Sequence, residues 1–282
     1  MKSIFSLILL ITFFVQACST ATTPIPTETF IPSPTSTITS IPPTSTFTPS
    51  PTITPTLDPI RSTPPTIMLH RPNLQFDSLQ FLKDLIVILQ QENMKVITYQ
   101  DIYQNPAVTA TEKGNLFIIT IDDIYLRYPI DPKVLEMIQI LREENFPAVL
   151  GVITENDYAY PETVSLLKEL VNEGWEIATH TNNHDNLADM QKTAPRAIRP
   201  EIILSMDRIE YAIGIRPVTL ILPYGQMVDD AEPLKQAGVY WVIGINGGIT
   251  YNSQKEIIYV GRESPAKTAE QTFKNMKARF GF

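Results

Sequence analysis

The sequence is poor in cysteine and histidine and carries no excess of basic residues. Its single cysteine, Cys18, excludes a disulfide bond within the chain. Acidic residues outnumber lysine and arginine by 30 to 22, which gives a net charge of −8 and argues against nucleic acid as a partner. No glycine-rich nucleotide-binding turn is present, which disfavours an open, doubly wound sheet. The only histidines are His70, His180 and His184.

The first residues form an apolar segment that is too short to cross a bilayer, since a spanning helix needs ~20 apolar residues. Lys2 precedes the apolar run at residues 4–15, and small residues follow, which is typical of a secretory signal. The stretch VQAC, ending at Cys18, resembles a bacterial lipoprotein cleavage and lipidation site. We therefore predict a signal peptide at residues 1–18 and a lipid anchor on the extracytoplasmic face of the cell membrane. An ordinary signal peptide with an incidental cysteine is the alternative.

Residues 19–65 are rich in threonine, proline and serine. This composition cannot bury enough apolar surface to offset the entropy of the chain, and the prolines favour an extended polyproline II conformation. We expect a disordered stalk that holds a folded domain, residues 66–282, away from the membrane. A long stalk suggests a target in the cell envelope; a spacer with no further role is the alternative.

In residues 66–282, apolar runs typical of strands alternate with segments whose apolar residues recur at helical spacing. Strands are predicted at 66–70, 95–99, 116–121, 148–154, 175–180, 218–222, 239–245 and 257–261. Helices are predicted between most of them, for example from Asp131-Pro132, which reads as an N-cap followed by a first-turn proline. Strands separated by helices form parallel sheets. The pattern favours an α/β fold, a distorted (β/α) barrel of about seven units.

Polar residues stand where the predicted strands end. In a barrel of parallel strands, the chemistry gathers at the carboxyl ends of the strands. The polar residues at these ends are His70, Asp122, Asp123, His180, Tyr224 and Arg262. We expect them to meet at one mouth of the barrel.

Two of the histidines, His180 and His184, are four residues apart directly after a predicted strand. Two imidazoles and one carboxylate form a donor set typical of a catalytic zinc site, because open coordination positions remain. One aspartate of the pair Asp122-Asp123 would bind the metal, and the other would accept a proton from the attacking water. Without the histidines, a pair of capping or solvent-facing aspartates would be the better interpretation.

The motifs TIDD (120–123), HTNNH (180–184) and LPYG (222–225), in this order, resemble those of the polysaccharide deacetylases of carbohydrate esterase family 4. The resemblance extends over essentially all of residues 66–282. It implies that Asp122 is the catalytic base and that Asp123, His180 and His184 bind a divalent metal, most simply zinc, with cobalt or nickel as alternatives. Thr181 matches the small hydroxyl residue of the second motif.

The same resemblance implies roles for the third motif and for two further residues. Pro223, Tyr224 and Gly225 match a motif in which the tyrosine N–H helps to stabilise the oxyanion. In the subgroup that acts on poly-N-acetylglucosamine, the acid histidine follows an early strand, as His70 does here. Arg262 would pair with Asp122 and keep it ionised.

The sequence departs from the family pattern at several positions. Ile124 stands where glycine follows the aspartate pair, and Ile221 stands where many members have an arginine. The aspartate of the fourth motif has no clear match, and no histidine follows His184. These departures leave two interpretations open: a degenerate relative, or the subgroup with its motifs arranged differently along the chain.

The resemblance implies a metal-dependent hydrolase that removes N-acetyl groups from an acetylated polysaccharide containing N-acetylglucosamine and releases acetate. Two alternatives remain at this stage. One is a carbohydrate-binding surface lipoprotein without activity, and the other is an O-acetyl esterase that acts on xylan-like chains. Amide and ester substrates pass through the same tetrahedral intermediate, so the motifs do not distinguish between them.

Overall fold

The computed structural model describes residues 63–108, 114–245, 250–252 and 257–281. The predicted signal peptide with Cys18 lies outside these residues, as does the predicted stalk up to residue 62. The last residues assigned to the stalk contact the folded domain, because the Pro65 carbonyl accepts a hydrogen bond of 3.0 Å from the Ile118 N–H. In the described part of the chain, no helix is both long and apolar enough to cross a membrane.

Strands and helices alternate along the described chain. The strands are β1 (Thr66–Leu69), β2 (Lys95–Val96), β3 (Leu116–Tyr125), β4 (Val149–Ile153), β5 (Glu176–Thr179), β6 (Thr219–Ile221), β7 (Trp241–Ile245), β8 (Thr250–Asn252) and β9 (Ile257–Arg262). The helices are α1 (Ser78–Gln91), α2 (Tyr99–Gln104), α3 (Pro132–Glu143), α4 (Pro161–Asn172), α5 (Leu187–Thr193), α6 (Pro195–Ile213), α7 (Glu232–Ala237) and α8 (Ala269–Phe280). A 3-10 turn at Pro223–Gly225 follows β6.

Seven parallel strands form a nearly closed barrel in the order β1, β3, β4, β5, β6, β7, β9. The ends of this order meet, because the Met68 N–H donates to the Glu263 carbonyl at 3.0 Å and the Glu263 N–H donates to the Thr66 carbonyl at 2.9 Å. Strand β2 pairs with the start of β3, and β8 runs antiparallel to β9. The distorted (β/α) barrel of about seven units predicted from the sequence is confirmed.

Local signals in the sequence set the helix boundaries. The predicted start of α3 is an example: Asp131 accepts a hydrogen bond of 2.9 Å from the Lys133 N–H, and Pro132 occupies the first turn. The buried face of α3 consists of Val134, Met137, Ile138 and Leu141. This stripe packs with residues of β3 and β4 in the core between the sheet and the helices.

The other side of the sheet forms the barrel interior, and alternation along the strands determines which residues reach it. On β3, Ile118 packs in the interior cluster, and Thr120 and Asp122 follow on the same face at two-residue spacing. On β9, Val260 packs in the same cluster, and Arg262 follows two residues later. Asp122 and Arg262 therefore end two interior rows at the same mouth of the barrel.

Candidate active site

A buried ion pair joins the ends of β3 and β9. Arg262 Nη1 and Nη2 donate to Asp122 Oδ1 and Oδ2 at 2.7 and 2.8 Å, and the Asp122 and Arg262 side chains are 2% and 0% exposed. Arg262 also donates to Thr120 Oγ1 at 2.7 Å. Burial alone would raise the pKa of Asp122, but the Arg262 guanidinium, helped by the His180 imidazole, holds that pKa below its usual value. Asp122 is therefore buried and ionised.

A β-bulge in β3 makes the side chains of Asp122 and Asp123 point to different partners. The register of β3 against β4 shifts after Ile121, and Asp123 adopts a left-handed backbone conformation with φ of 64°. In a regular strand, Asp123 would point away from the barrel interior, because neighbouring side chains alternate between faces. The bulge instead turns its carboxylate toward His180 and His184, which is a common use of bulges near active sites.

Asp123, His180 and His184 form a compact cluster in which one donor atom of each lies within 4.8 Å of the others. Asp123 Oδ1 lies 3.4 Å from His180 Nε2 and 3.3 Å from His184 Nε2, yet it is buried and has no hydrogen-bond partner. Burial would raise the pKa of Asp123, but its contacts with the two imidazoles hold the pKa well below its usual range. A buried, ionised oxygen without a hydrogen bond needs a positive partner.

The ring orientation of His180 makes its Nε2 atom a suitable ligand. His180 Nδ1 lies 2.8 Å from the Ile221 carbonyl oxygen, which can only accept, so Nδ1 carries the proton of the neutral ring. Nε2, which lies 3.4 Å from Asp123 Oδ1, then keeps its lone pair available for a metal. Metal-binding histidines are commonly held by such a contact. The three residues therefore fit a divalent metal of the kind that the sequence predicts.

His70 lies beside both carboxylates at the barrel mouth. Its Nε2 atom is 3.8 Å from Asp122 Oδ2 and 3.9 Å from Asp123 Oδ2, and the side chain is partly exposed. Both separations are longer than hydrogen bonds. The imidazole is thus not hydrogen-bonded to either carboxylate and is partly exposed, so a substrate atom could reach it, as a proton donor requires.

The turn at Pro223–Gly225 is held in an unusual backbone conformation. Tyr224 and Gly225 have φ of 60° and 66°. A Cβ atom on Gly225 would lie 2.2 Å from Ile245 Cγ1, so residue 225 has to be glycine. The Tyr224 ring is exposed and lies 5.0 Å from the His184 ring. The turn thus sets the direction of the Tyr224 N–H, the predicted oxyanion donor, and Pro223 is buried beneath it.

Thr181, the remaining predicted residue of the second motif, is buried and also has a positive φ, 65°. Its N–H donates to Thr179 Oγ1 at 3.2 Å. Thr181 therefore lies within the loop that carries His180 and His184, where its backbone conformation affects the position of both rings.

Ile124 and Ile221, the two departures from the family pattern, have clear places in the structure. Ile124 pairs with Val152 of β4 and packs in the core beneath the helices. Ile221 is buried in the barrel interior close to Asp122, since a Cβ added to Gly151 would contact Ile221 Cδ1 at 3.3 Å and Asp122 Cα at 3.4 Å. The arginine that contacts Asp122 in this chain is Arg262, which reaches it from β9.

A cavity of about 370 Å³ beside the Asp123–His180–His184 cluster is lined in part by residues to which the sequence assigned no role in the site. Arg71, Tyr128 and Asp131 line it together with Asp123 and His184. Arg71 directly follows His70, and Tyr128 lies three residues beyond β3, so the rule that strand ends carry the chemistry could have identified them. The cavity adjoins the predicted reaction centre and is large enough to hold part of a substrate.

A comparison with protein families matches residues 109–242 to the family described as polysaccharide deacetylase. Among curated proteins, the chain is 28% identical over 99 residues to a peptidoglycan-N-acetylglucosamine deacetylase of Bacillus cereus. This match covers 35% of the chain and 33% of the relative, so the chain spans about a third of the length of that protein.

Solved structures share the fold at lower sequence identity. A de-N-acetylase from Aggregatibacter actinomycetemcomitans is 18% identical with a TM-score of 0.59, over 75% of this chain and 98% of that one. IcaB from Ammonifex degensii is 17% identical with a TM-score of 0.58, over 75% of this chain and 94% of that one. These likenesses support the barrel architecture along most of the described residues.

Proposed function

We propose that this chain, whose residues 109–242 match the polysaccharide deacetylase family, is a metal-dependent hydrolase that removes N-acetyl groups from a polysaccharide containing N-acetylglucosamine. The observation that carries the proposal is the unequal environment of two adjacent carboxylates. Asp122 is paired with Arg262, whereas Asp123 faces two imidazole nitrogens without a hydrogen bond to Oδ1. One carboxylate is thereby available for proton transfer and the other for a metal.

Asp123, His180 and His184 would hold the divalent ion, with zinc favoured and cobalt or nickel possible. The ion would supply Lewis-acid polarisation of the acetyl carbonyl and would lower the pKa of water. The contact between His180 Nδ1 and the Ile221 carbonyl keeps the Nε2 lone pair directed at the site.

Asp122 acts as the general base that receives a proton from the attacking water. Its carboxylate stays ionised because the two Arg262 nitrogens contact both of its oxygens. His70, across the same opening, donates a proton to the departing glucosamine nitrogen. The Tyr224 N–H stabilises the negative charge that develops on the acetyl oxygen.

The sequence supports the proposed location, and a relative supports the proposed class of substrate. The matched Bacillus cereus protein is named for N-acetylglucosamine in peptidoglycan, which supports an acetylated envelope or extracellular polysaccharide as the substrate here. A lipid on Cys18 would anchor the chain at the extracytoplasmic face of the membrane, and the stalk would carry the domain outward. Incorporation of labelled palmitate at Cys18 in a bacterial host tests the anchor, and an unlabelled chain with Cys18 intact would contradict it.

The activity is tested by measuring acetate release from chito-oligosaccharides and from peptidoglycan by the full chain, with and without a chelator. We expect chelator-sensitive release that Asp122→Asn lowers by at least about 100-fold, because the base is lost while the metal ligands remain. Asp84→Asn, which changes an exposed carboxylate on α1, is the matched control. An Asp122→Asn variant that releases acetate at the wild-type rate would refute the assigned role.

The assay distinguishes the alternatives when acetylated xylan and a measurement of glycan binding are added. Release of acetate from acetylated xylan but not from chito-oligosaccharides would indicate an O-acetyl esterase. Glycan binding without acetate release, even with added zinc or cobalt, would indicate a degenerate, carbohydrate-binding domain.

A further inference from the structure

The loop that joins His180 to His184 has a backbone conformation that its own residues do not favour. Thr181 and His184 both adopt the left-handed region, with φ of 65° and 60°. Residues other than glycine rarely adopt this region, so contacts from the surrounding structure have to hold them there. Two of the three candidate metal ligands depend on this loop for their position.

Helix α6 supplies the contacts that hold the middle of the loop. Glu201 Oε1 accepts a hydrogen bond of 2.5 Å from the Asn183 N–H, and Glu201 Oε2 accepts one of 3.1 Å from Asn183 Nδ2. Arg208, seven residues later and two turns along the same helix face, donates to Asn182 Oδ1. Thr154 Oγ1 donates to that same Asn182 oxygen at 2.9 Å.

Glu201 is the central member of this contact set. Glu201 as a whole is only 7% exposed, and a carboxylate is seldom buried to that extent unless it has hydrogen-bond partners. The partners that contact it at both oxygens belong to Asn183, the residue directly before His184. A change at Glu201 therefore acts on the backbone next to a metal ligand without removing any ligand atom.

We propose that Glu201 is a positioning residue that fixes the loop from His180 to His184 and thereby sets the affinity of the Asp123–His180–His184 cluster for a divalent cation. The proposal rests on the metal site of the proposed function. Residues outside the ligand set that orient metal ligands typically change metal affinity by about 10–100-fold when they are mutated. A purely structural Glu201 would change the stability of the fold and leave the affinity of the folded protein unchanged.

The test measures zinc affinity of the full chain by competition with a chromophoric chelator. Glu201→Ala removes both hydrogen bonds and is expected to weaken zinc binding by about 10–100-fold. Glu201→Gln keeps an oxygen that accepts from the Asn183 N–H, but its amide NH2 would face the Asn183 Nδ2 donor and lose that hydrogen bond. Asn183→Ala removes only the hydrogen bond from Asn183 Nδ2 to Glu201. Each of these two variants is expected to weaken binding by roughly fivefold, the effect of about one hydrogen bond.

The matched control is Glu210→Gln. Glu210 lies on the same helix and pairs with Arg216 at 2.7 Å, away from the loop, so zinc affinity should stay within about twofold of the wild type. Far-UV circular dichroism identifies the folded variants. If Glu201→Ala does not fold, Glu201→Gln and Asn183→Ala decide the outcome.

Wild-type zinc affinity in the folded Glu201 variants would overturn the proposal and would leave the proposed activity intact. A wild-type chain that binds zinc, loses affinity at Glu201 as expected and releases no acetate would refute the proposed activity and support the role of Glu201. The two failures are therefore distinguishable, because one is read from metal affinity and the other from product.

Discussion

Each end of the barrel buries one carboxyl group, and the pKa of that group is lowered at one end and raised at the other. At the carboxyl end of β3, Asp122 contacts Arg262 through both oxygens, and its pKa lies below the usual value. At the amino end of β5, burial raises the pKa of Glu176 to about 7, and the Thr219 hydroxyl and the Gln100 N–H, 2.9 Å away, offset only part of this effect.

The difference shows that depth in the fold does not decide whether a carboxyl group is charged; its partners do. A buried ion pair contributes little net stability compared with apolar residues of similar size. Stability alone therefore does not explain Arg262, whereas the proposed role of Asp122 as an ionised base would. Glu176 instead accepts hydrogen bonds from backbone N–H groups at the start of α2.

The largest effect on the stability of the fold is expected when the ion pair between Asp122 and Arg262 is broken. Arg262→Met leaves Asp122 buried without a cation and should lower the free energy of unfolding by about 3–5 kcal/mol, measured by urea denaturation. Arg279→Met, which breaks a partly exposed pair with Glu263, is the control and should change stability by less than about 1 kcal/mol.

A second variant sharpens this prediction. Adding Asp122→Asn to Arg262→Met should restore much of the lost stability, because no unpaired charge then remains in the interior. If Arg262→Met were as stable as the wild type, the electrostatic account of Asp122 would be wrong.

A smaller effect is expected from metal removal, which acts only at the barrel mouth. If Asp123, His180 and His184 bind zinc as proposed, a chelator should lower wild-type stability by about 2.7 kcal/mol with zinc at about 100 times its dissociation constant, because a ligand that binds only the folded chain stabilises it. His180→Ala removes a ligand and should abolish this difference, as thermal unfolding with and without chelator would show. A chelator effect of equal size in His180→Ala would place the ion elsewhere.

The smallest effect is expected at the amino end of β5, where burial favours the neutral form of Glu176. The pKa of Glu176 in the folded chain, about 7, lies above its ordinary value of 4.5, so the unfolded chain loses this proton first as the pH rises. The contribution of Glu176 to stability therefore decreases between about pH 4.5 and 7. Glu176→Gln should match the wild type near pH 4 and exceed it by roughly 1–3 kcal/mol at pH 8.

Urea denaturation at the two pH values measures this difference. Glu169→Gln, an exposed change on α4, is the control and should follow the wild-type profile. A Glu176→Gln profile parallel to that of the wild type at both pH values would contradict the prediction.

Much of the site could be predicted because the ends of buried strands can be identified from the sequence. Apolar runs that stop at His70, Asp122 and His180 identify the mouth of a parallel barrel before any contact is known. The role of Glu201 could not be found this way, because it lies within a helix, 17 residues beyond His184, and its partner is a backbone N–H. Contacts between a helix side chain and a distant loop leave no local pattern.

The sequence by itself determined the alternation of strands and helices, the residues at each strand end and the donor types available for a metal. These follow from hydrophobic periodicity and side-chain chemistry, which are local properties. Only the tertiary structure decided which aspartate pairs with arginine and which faces the histidines: a bulge after Ile121 reverses the direction of Asp123, and β9 brings Arg262 to Asp122 across 140 residues. Register and strand neighbours depend on the packing of the whole barrel, and no short stretch of sequence encodes them.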